Sequence, residues 1–167
     1  MDEAEVTVRL GVAADFEEMM RLSVAATEEN AFVVPDLAML ANQVWASLTM
    51  QRGAVGVIGN KVGGPLEGAI LLNIGPVWYS AEPVLEEKAI YVDPEFRAAK
   101  GGRARKLAEF AKVMAENLEL PLAIGVLSNE RTKAKIRLYE RTFGPPAGVY
   151  FLYNAKTGLP PEIEGET

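Results

Sequence analysis

The 167-residue chain has no cysteine and no histidine. Without cysteine there is no disulfide, no thiolate zinc site and no thiolate nucleophile. Without histidine, Ser-His-Asp and Cys-His catalysis are excluded, along with imidazole-bound metals. Any general base must then be Asp, Glu, Lys, Tyr, a terminal amine or water. Long apolar runs are missing too, since no stretch approaches the roughly 20 residues of a membrane span. The opening Met1-Asp2-Glu3-Ala4-Glu5 is acidic where a secretory leader is basic and then apolar, so a cytoplasmic protein is expected. A net charge of −6 makes nucleic acid a poor default partner.

Apolar residues make up 49% and charged residues 24%, a globular composition. The length suits one domain with a real core. That domain is expected over residues 1–154, followed by a flexible tail at 155–167 rich in Pro, Gly and Glu. No internal repeat is present.

Glu5 to Leu10 alternates with period two and predicts a strand. Asp15-Phe16-Glu17-Glu18 has capping-box form and opens a helix through about Glu29. Pro35-Asp36 starts a second helix, with Leu37, Leu40, Ala41, Val44 and Leu48 in register. Ala54 to Ile58 and Leu66 to Ile74 read as a hairpin about a Gly-rich turn. The Gly75 to Pro83 connection carries Trp78 and Tyr79, and Leu85 to Val92 is a fourth strand. Gly102 to Leu118 is the clearest helix, with Leu107, Phe110, Met114 and Leu118 on one stripe. Leu120 to Leu127 is a continuous apolar run, expected as a strand covered on both faces. Ser128 or Asn129 caps a last helix to Arg141, and Gly148 to Tyr153 forms a final strand.

Charge is unevenly spread. The ten residues from Arg97 to Lys106 hold five cations and no acid, which leaves a net −11 on the remainder. Cations in a helix's first turns oppose its dipole. The conflict is relieved if an anion binds in front of them, held by backbone N–H groups that Gly101-Gly102 allow to approach closely. A solvated basic face is the alternative at this level. Neither a Walker A loop nor the three-glycine dinucleotide fingerprint is present.

In this context the chain resembles the GNAT-type acyl-CoA N-acyltransferases. Their pyrophosphate motif, Gln/Arg-x-x-Gly-x-Gly/Ala after a strand and a Pro-containing link, is matched by Ile90 to Ala104. Arg97 and Gly102 fit that motif, and Lys100 stands at the usual first glycine. Ser128-Asn129 through Leu138-Tyr139 to Phe143-Gly144 is similar to the family's Asn…Leu-Tyr…Gly signature, with the Asn-to-Tyr interval longer by about a turn. The resemblance runs from about Val6 to Tyr153. It implies an α/β fold, a mixed twisted sheet flanked by helices and splayed between the fourth and fifth strands.

The resemblance also implies roles. Backbone groups of Tyr91 and Val92 would hold the acyl and pantetheine end of acetyl-CoA. Amides of Arg97, Ala98, Ala99, Lys100, Gly101, Gly102, Arg103 and Ala104 would bind its pyrophosphate, and Asn129 its pantetheine arm. Tyr139 would protonate the departing thiolate. Glu86 or Glu87, pointing to opposite faces of one strand, would supply the base. With no cysteine, transfer goes directly to an amine without a covalent enzyme intermediate, and no metal is implied. The acceptor is a small-molecule amine or a lysine side chain. Trp78 and Tyr79 either border the acceptor groove or pack at its rim or in a homodimer interface. Two other classes compete: a CoA-binding regulatory or interaction module without turnover, and a nucleobase-modifying relative acting on DNA, which the acidic balance disfavours.

Overall fold

The computed structural model describes residues 5–30, 32–127 and 132–154. Five strands form one sheet in sequential order: β1 (Arg9–Leu10), β2 (Gly53–Ile58), β3 (Gly68–Pro76), β4 (Pro83–Val92) and β5 (Leu122–Ala123). All neighbours are antiparallel except β4 and β5, which are parallel. The sheet is therefore mixed. Helices α1 (Phe16–Asn30) and α2 (Leu37–Leu48) pack on one face. A single turn, α3 (Pro94–Arg97), leads into α4 (Arg103–Leu118), which packs with α5 (Thr132–Phe143) on the other face. No helix among the described residues is long and apolar enough to cross a membrane.

The central strands explain the two-sided core. Odd residues of β2 and β3, such as Val55, Val57 and Leu71, join Met19, Leu22, Val44 and Leu48 from α1 and α2. Even residues Ile58, Ile70 and Leu72 join Leu107, Ala108 and Ala111 of α4. A β-bulge interrupts this alternation on β4. Leu71 faces Ala89 and Leu72 faces Glu87, so Lys88 is left without an opposite residue. The extra residue reverses the parity. Leu85 lies toward α4 before the bulge, and Ile90 and Val92 lie there after it. The bulge thus fixes which side Glu87 occupies.

Asp15 anchors the other end of the molecule. It closes a short 3-10 turn (Ala13–Asp15) and is only 1% exposed. Its carboxylate accepts from both terminal nitrogens of Arg9 at 2.8 Å, from Val12 N at 2.9 Å and from Gly63 N at 3.0 Å. One group joins β1, the entry to α1 and the β2–β3 turn. The capping box expected from Asp15 and Glu18 does not form, because both side chains are used across the fold. Glu18 accepts from Leu66 N and pairs with Arg21 instead.

Two strand expectations need correction. Leu120 to Leu127 is covered on one face only: Leu122, Ile124 and Val126 pack inward, while Ala123, Gly125 and Leu127 are exposed. Only Leu122 and Ala123 pair with β4. Gly148 to Tyr153 joins no strand, and Tyr150, Phe151 and Tyr153 are exposed. An edge two residues long offers almost no ladder for a sixth strand to extend.

Arg9 and the two backbone N–H···O bonds hold the Asp15 carboxyl well below the usual carboxylate range. A depressed native pKa contributes stability that is complete above the unfolded value near ~4 and is lost as pH falls through the native one. Asp15→Asn should lower stability by roughly 3 kcal/mol at neutral pH, since it breaks a buried ion pair. Urea unfolding should show the gap between variant and parent narrowing below about pH 4. A pH-independent gap would assign the loss to packing.

Candidate functional site

β4 and β5 share only the pairs Leu85 with Leu122 and Glu86 with Ala123 before they part. Past that point the β5-facing edge of β4 has no ladder. A cavity of about 290 Å³ opens beside it. Its walls are Ile90, Tyr91 and Val92 of β4, the segment from Phe96 to Arg105, and Ala134, Lys135, Leu138 and Tyr139 of α5. Glu29, at the end of α1, closes one side.

The Arg97–Lys106 segment forms much of this wall, but its cations are largely engaged within the protein. Arg97 donates from Nε to Val92 O at 2.8 Å and from Nη2 to Glu29 at 2.5 Å, and it lies 5.0 Å over the Tyr91 ring. Arg103 pairs with Glu67 at 2.9 Å, donates to Lys100 O and stacks on Phe96. Arg105 meets Glu109, and Lys106 donates to Val6 O. Arg21 and Asp93 add a further pair that ties α1 to the link before α3. These contacts hold the loop against the body of the fold.

Two glycines shape the backbone where this segment enters α4. Gly101 and Gly102 have φ of +119° and +59°, a region that favours glycine. At Gly101 a Cβ would meet Val6 Cγ2 at 2.7 Å. Gly102 is the N-cap of α4 and has no side chain to satisfy the N–H groups of the first turn. Those amides, at the positive end of a 16-residue helix, form an anion-binding geometry. Ala98, Ala99 and Lys100 lie exposed on the approach to it.

The two glutamates are separated. Glu86 points away from the α4 side and pairs with Lys88 at 2.9 Å. Glu87 lies toward α5, and its carboxylate accepts from Gly125 N at 3.4 Å across the gap between β4 and β5. Burial raises its pKa to about 7, against the partial relief of that N–H and of Lys135. Tyr139 is 7% exposed, and its hydroxyl has no hydrogen-bond partner among the described residues. Burial first, and then the charge of Glu87, push its pKa far up, so it stays a neutral donor. Phe143 packs edge-on against its ring. Asn129 lies outside the described residues. Trp78 and Tyr79 sit edge to face at the tip of the β3–β4 hairpin, with Trp78 95% exposed, so neither packs into the cavity.

Sequence reasoning missed Glu29 and Glu67, which neutralise Arg97 and Arg103 from 68 and 36 positions away. No local signal marks such partners. The bulge that assigns Glu87 its side was also illegible, since nothing in Glu86-Glu87-Lys88 demands an extra residue.

Comparison with known proteins supplies the fold class. No family model matches the chain, and no curated protein matches it in sequence. Solved structures do match. AAC(6')-Iy in complex with the bisubstrate analogue CoA-S-monomethyl-acetylneamine superposes with a TM-score of 0.68 at 19% identity, covering 90% of this chain and 98% of that one. A Trypanosoma brucei acetyltransferase gives 0.64 at 17% identity, covering 90% and 99%. A ribosomal-protein-alanine N-acetyltransferase from Brucella melitensis biovar Abortus 2308 gives 0.59 at 18%, covering 89% and 99%. The chain has the fold of the GNAT-type acyl-CoA N-acyltransferases. The three matching structures named are those of acetyltransferases.

The raised pKa of Glu87 has a stability consequence opposite in sign to that of Asp15. Its protonated form is favoured by the fold, so its contribution is complete below about 4.5 and is lost as pH rises through about 7. Glu87→Gln, neutral throughout, should therefore gain stability relative to the parent between those values. Urea unfolding at pH 5 and pH 8 measures the difference. Equal pH slopes in the two proteins would mean the carboxyl is hydrated.

Proposed function

We propose that this chain is an acetyl-CoA-dependent N-acetyltransferase that passes the acetyl group directly to an amine. The observation that carries the reading is the Tyr139 hydroxyl, a buried proton donor without a partner among the described residues, in the wall of the cavity beside the open edge of β4. A buried hydroxyl left unpaired costs free energy unless something completes it. A thioester sulfur lying there would do so.

In this reading Tyr91 and Val92 offer backbone groups on the open edge to the acyl and pantetheine end. Amides from Arg97 through Ala104 receive the pyrophosphate, while the Arg97 and Arg103 side chains hold that loop in shape. Asn129 is assigned to the pantetheine arm by the family resemblance alone. Glu87, not Glu86, is the base. The amine nitrogen bonds to the thioester carbon as one of its protons goes to the Glu87 carboxylate. The carbon–sulfur bond breaks, and the sulfur takes the Tyr139 proton. Glu87 then holds one proton too many and Tyr139 one too few, and exchange between them or through water resets both. A carboxylate with a pKa of about 7 is matched to that task near neutral pH. The chain's net −6 charge favours a cationic acceptor, either a small-molecule amine or a lysine side chain.

Release of free CoA thiol from acetyl-CoA across a panel of amines tests the activity. CoA bound without turnover of any amine would leave a binding module. Once an acceptor is known, Tyr139→Phe should lower kcat and kcat/KM together by roughly 10²–10⁴, the range for general-acid loss, with CoA affinity kept. Glu87→Gln should remove the rise of kcat with pH through about 7, and Glu86→Gln should leave it in place. Parent-like rates in Tyr139→Phe would reduce that residue to a packing element.

The anion site has its own check. Gly102→Asp forces a side chain into a left-handed position and sets a carboxylate against the α4 amides. CoA should stabilise the parent to heat by mass action and fail to stabilise this variant. Equal thermal shifts would move the pyrophosphate elsewhere.

A further inference from the structure

The first turn of α4 holds a lysine that the helix dipole opposes. Lys106 lies one turn past the N-cap Gly102, and its backbone N–H donates to Gly102 O at 3.0 Å. A cation at that end of a helix is unfavourable unless it serves another contact. Here the contact is with the N-terminal segment. The Lys106 ammonium donates to Val6 O, 100 positions earlier in the chain. β1 pairs with β2 only at Arg9 and Leu10, so Val6 lies outside that ladder. Val6 and Val8 are half-buried against the core on the α4 side, while Glu5 and Thr7 are exposed. Two valines and one charge-assisted hydrogen bond therefore seat this segment. The same valine touches the loop before α4. A Cβ at Gly101 would lie 2.7 Å from Val6 Cγ2 and 3.6 Å from Arg103 Nη1. Arg103 is itself fixed by Glu67 and donates to Lys100 O.

We propose that residues Glu5 to Val8 form a strap that positions the anion-binding loop, with Lys106 as the positioning residue that fixes it. The inference rests on the reading of that loop as the pyrophosphate site. Binding through backbone amides demands a closely held loop, because N–H···O bonds weaken steeply as their angle departs from linear. Gly101 and Gly102 give the loop its shape, but they have no side chains with which to hold it. Val6 supplies the missing wall at Gly101. Lys106 ties that wall to the helix whose first turn carries the binding amides. Coupling of this kind is reciprocal: a strap that favours coenzyme binding is itself stabilised by bound coenzyme to the same extent.

The test is CoA affinity of the full chain by titration calorimetry, together with proteolysis of the parent. Lys106→Met should raise the Kd for CoA by roughly 10-fold to 10²-fold, the cost of misplacing a binding group by about 1 Å. Val6→Gly leaves every charge in place and should cause a similar loss. The two losses should not add in the double variant, because each removes the same support. Lys106→Arg keeps a cationic donor and should restore most of the affinity. In the parent, cleavage after Glu5 by a Glu-specific protease tracks opening of the strap, and saturating CoA should slow it by roughly 10-fold or more. Cleavage after Glu119, at the far end of α4, should keep its rate. Unchanged affinity in both Lys106→Met and Val6→Gly overturns the proposal even where their melting temperatures fall, since a merely structural contact behaves that way. A loss confined to Lys106→Met overturns it as well, by making the cation a direct phosphate ligand. So does cleavage after Glu5 that ignores CoA, an outcome that needs no variant to fold. A parent that binds no CoA at all overturns the pyrophosphate reading itself, and the role of the strap with it.

Discussion

The parting of β4 from β5 after two residue pairs is the constraint on which the rest of the structure turns. A backbone edge inside a fold must find partners for its N–H and C=O groups. On its other side β4 pairs with β3 from Pro83 to Val92, apart from Lys88 at the bulge. On the β5 side the compensation is sparse. Arg97 donates to Val92 O, and Gly125 spends its N–H on the Glu87 side chain instead of on a strand. The opening is therefore kept by side chains that bridge it without closing it. It leaves a cavity of about 290 Å³ walled by the end of β4, the segment before α4 and α5.

The electrostatics are arranged around that gap in two layers. Arg97, Arg103 and Arg21 are paired with Glu29, Glu67 and Asp93, each partner coming from a distant part of the chain. These pairs stitch α1 and the start of β3 to the loop before α4. Once they form, the five cations of the segment no longer act as five free charges. In the proposed function, attraction for the pyrophosphate then rests on the first-turn amides of α4, with the guanidinium groups as a framework. That division has a physical advantage: rigid dipoles aimed at a site need no reorganisation when charge arrives.

Much of this was legible in the sequence, for identifiable reasons. The α4 stripe of Leu107, Phe110, Met114 and Leu118 and the Gly101-Gly102 pair are local patterns, and both fall where they were expected. The fold class followed from the family resemblance carried by Ile90 to Ala104 and by Leu138-Tyr139, set in a matching order of elements. What could not be read depended on non-local geometry. The choice between Glu86 and Glu87 turns on a bulge set by β3, across the sheet. Leu120 to Leu127 has a composition that suits two-sided burial, yet only one layer of helices reaches it. Val149 to Tyr153 has strand composition, but a strand needs an edge to join, and β5 presents two residues.

Glu87 and Tyr139 show why the site is costly to the fold and what that cost implies. A carboxylate with a pKa near 7 and a phenol without a partner are both disfavoured by burial. Stability alone would replace them with apolar groups, at little loss of packing. The Asp15 network at the far end works the other way, with every lone pair direction used and the charge strongly favoured. One chain thus contains a polar cluster that is fully satisfied and one that is left incomplete. Of the incomplete one, Tyr139 lines the cavity beside the open strand edge and Glu87 reaches Gly125 across the gap between β4 and β5. In the proposed function a thioester sulfur completes the Tyr139 hydroxyl and an amine gives its proton to Glu87, so the two groups that their surroundings disfavour are the two that the reaction uses.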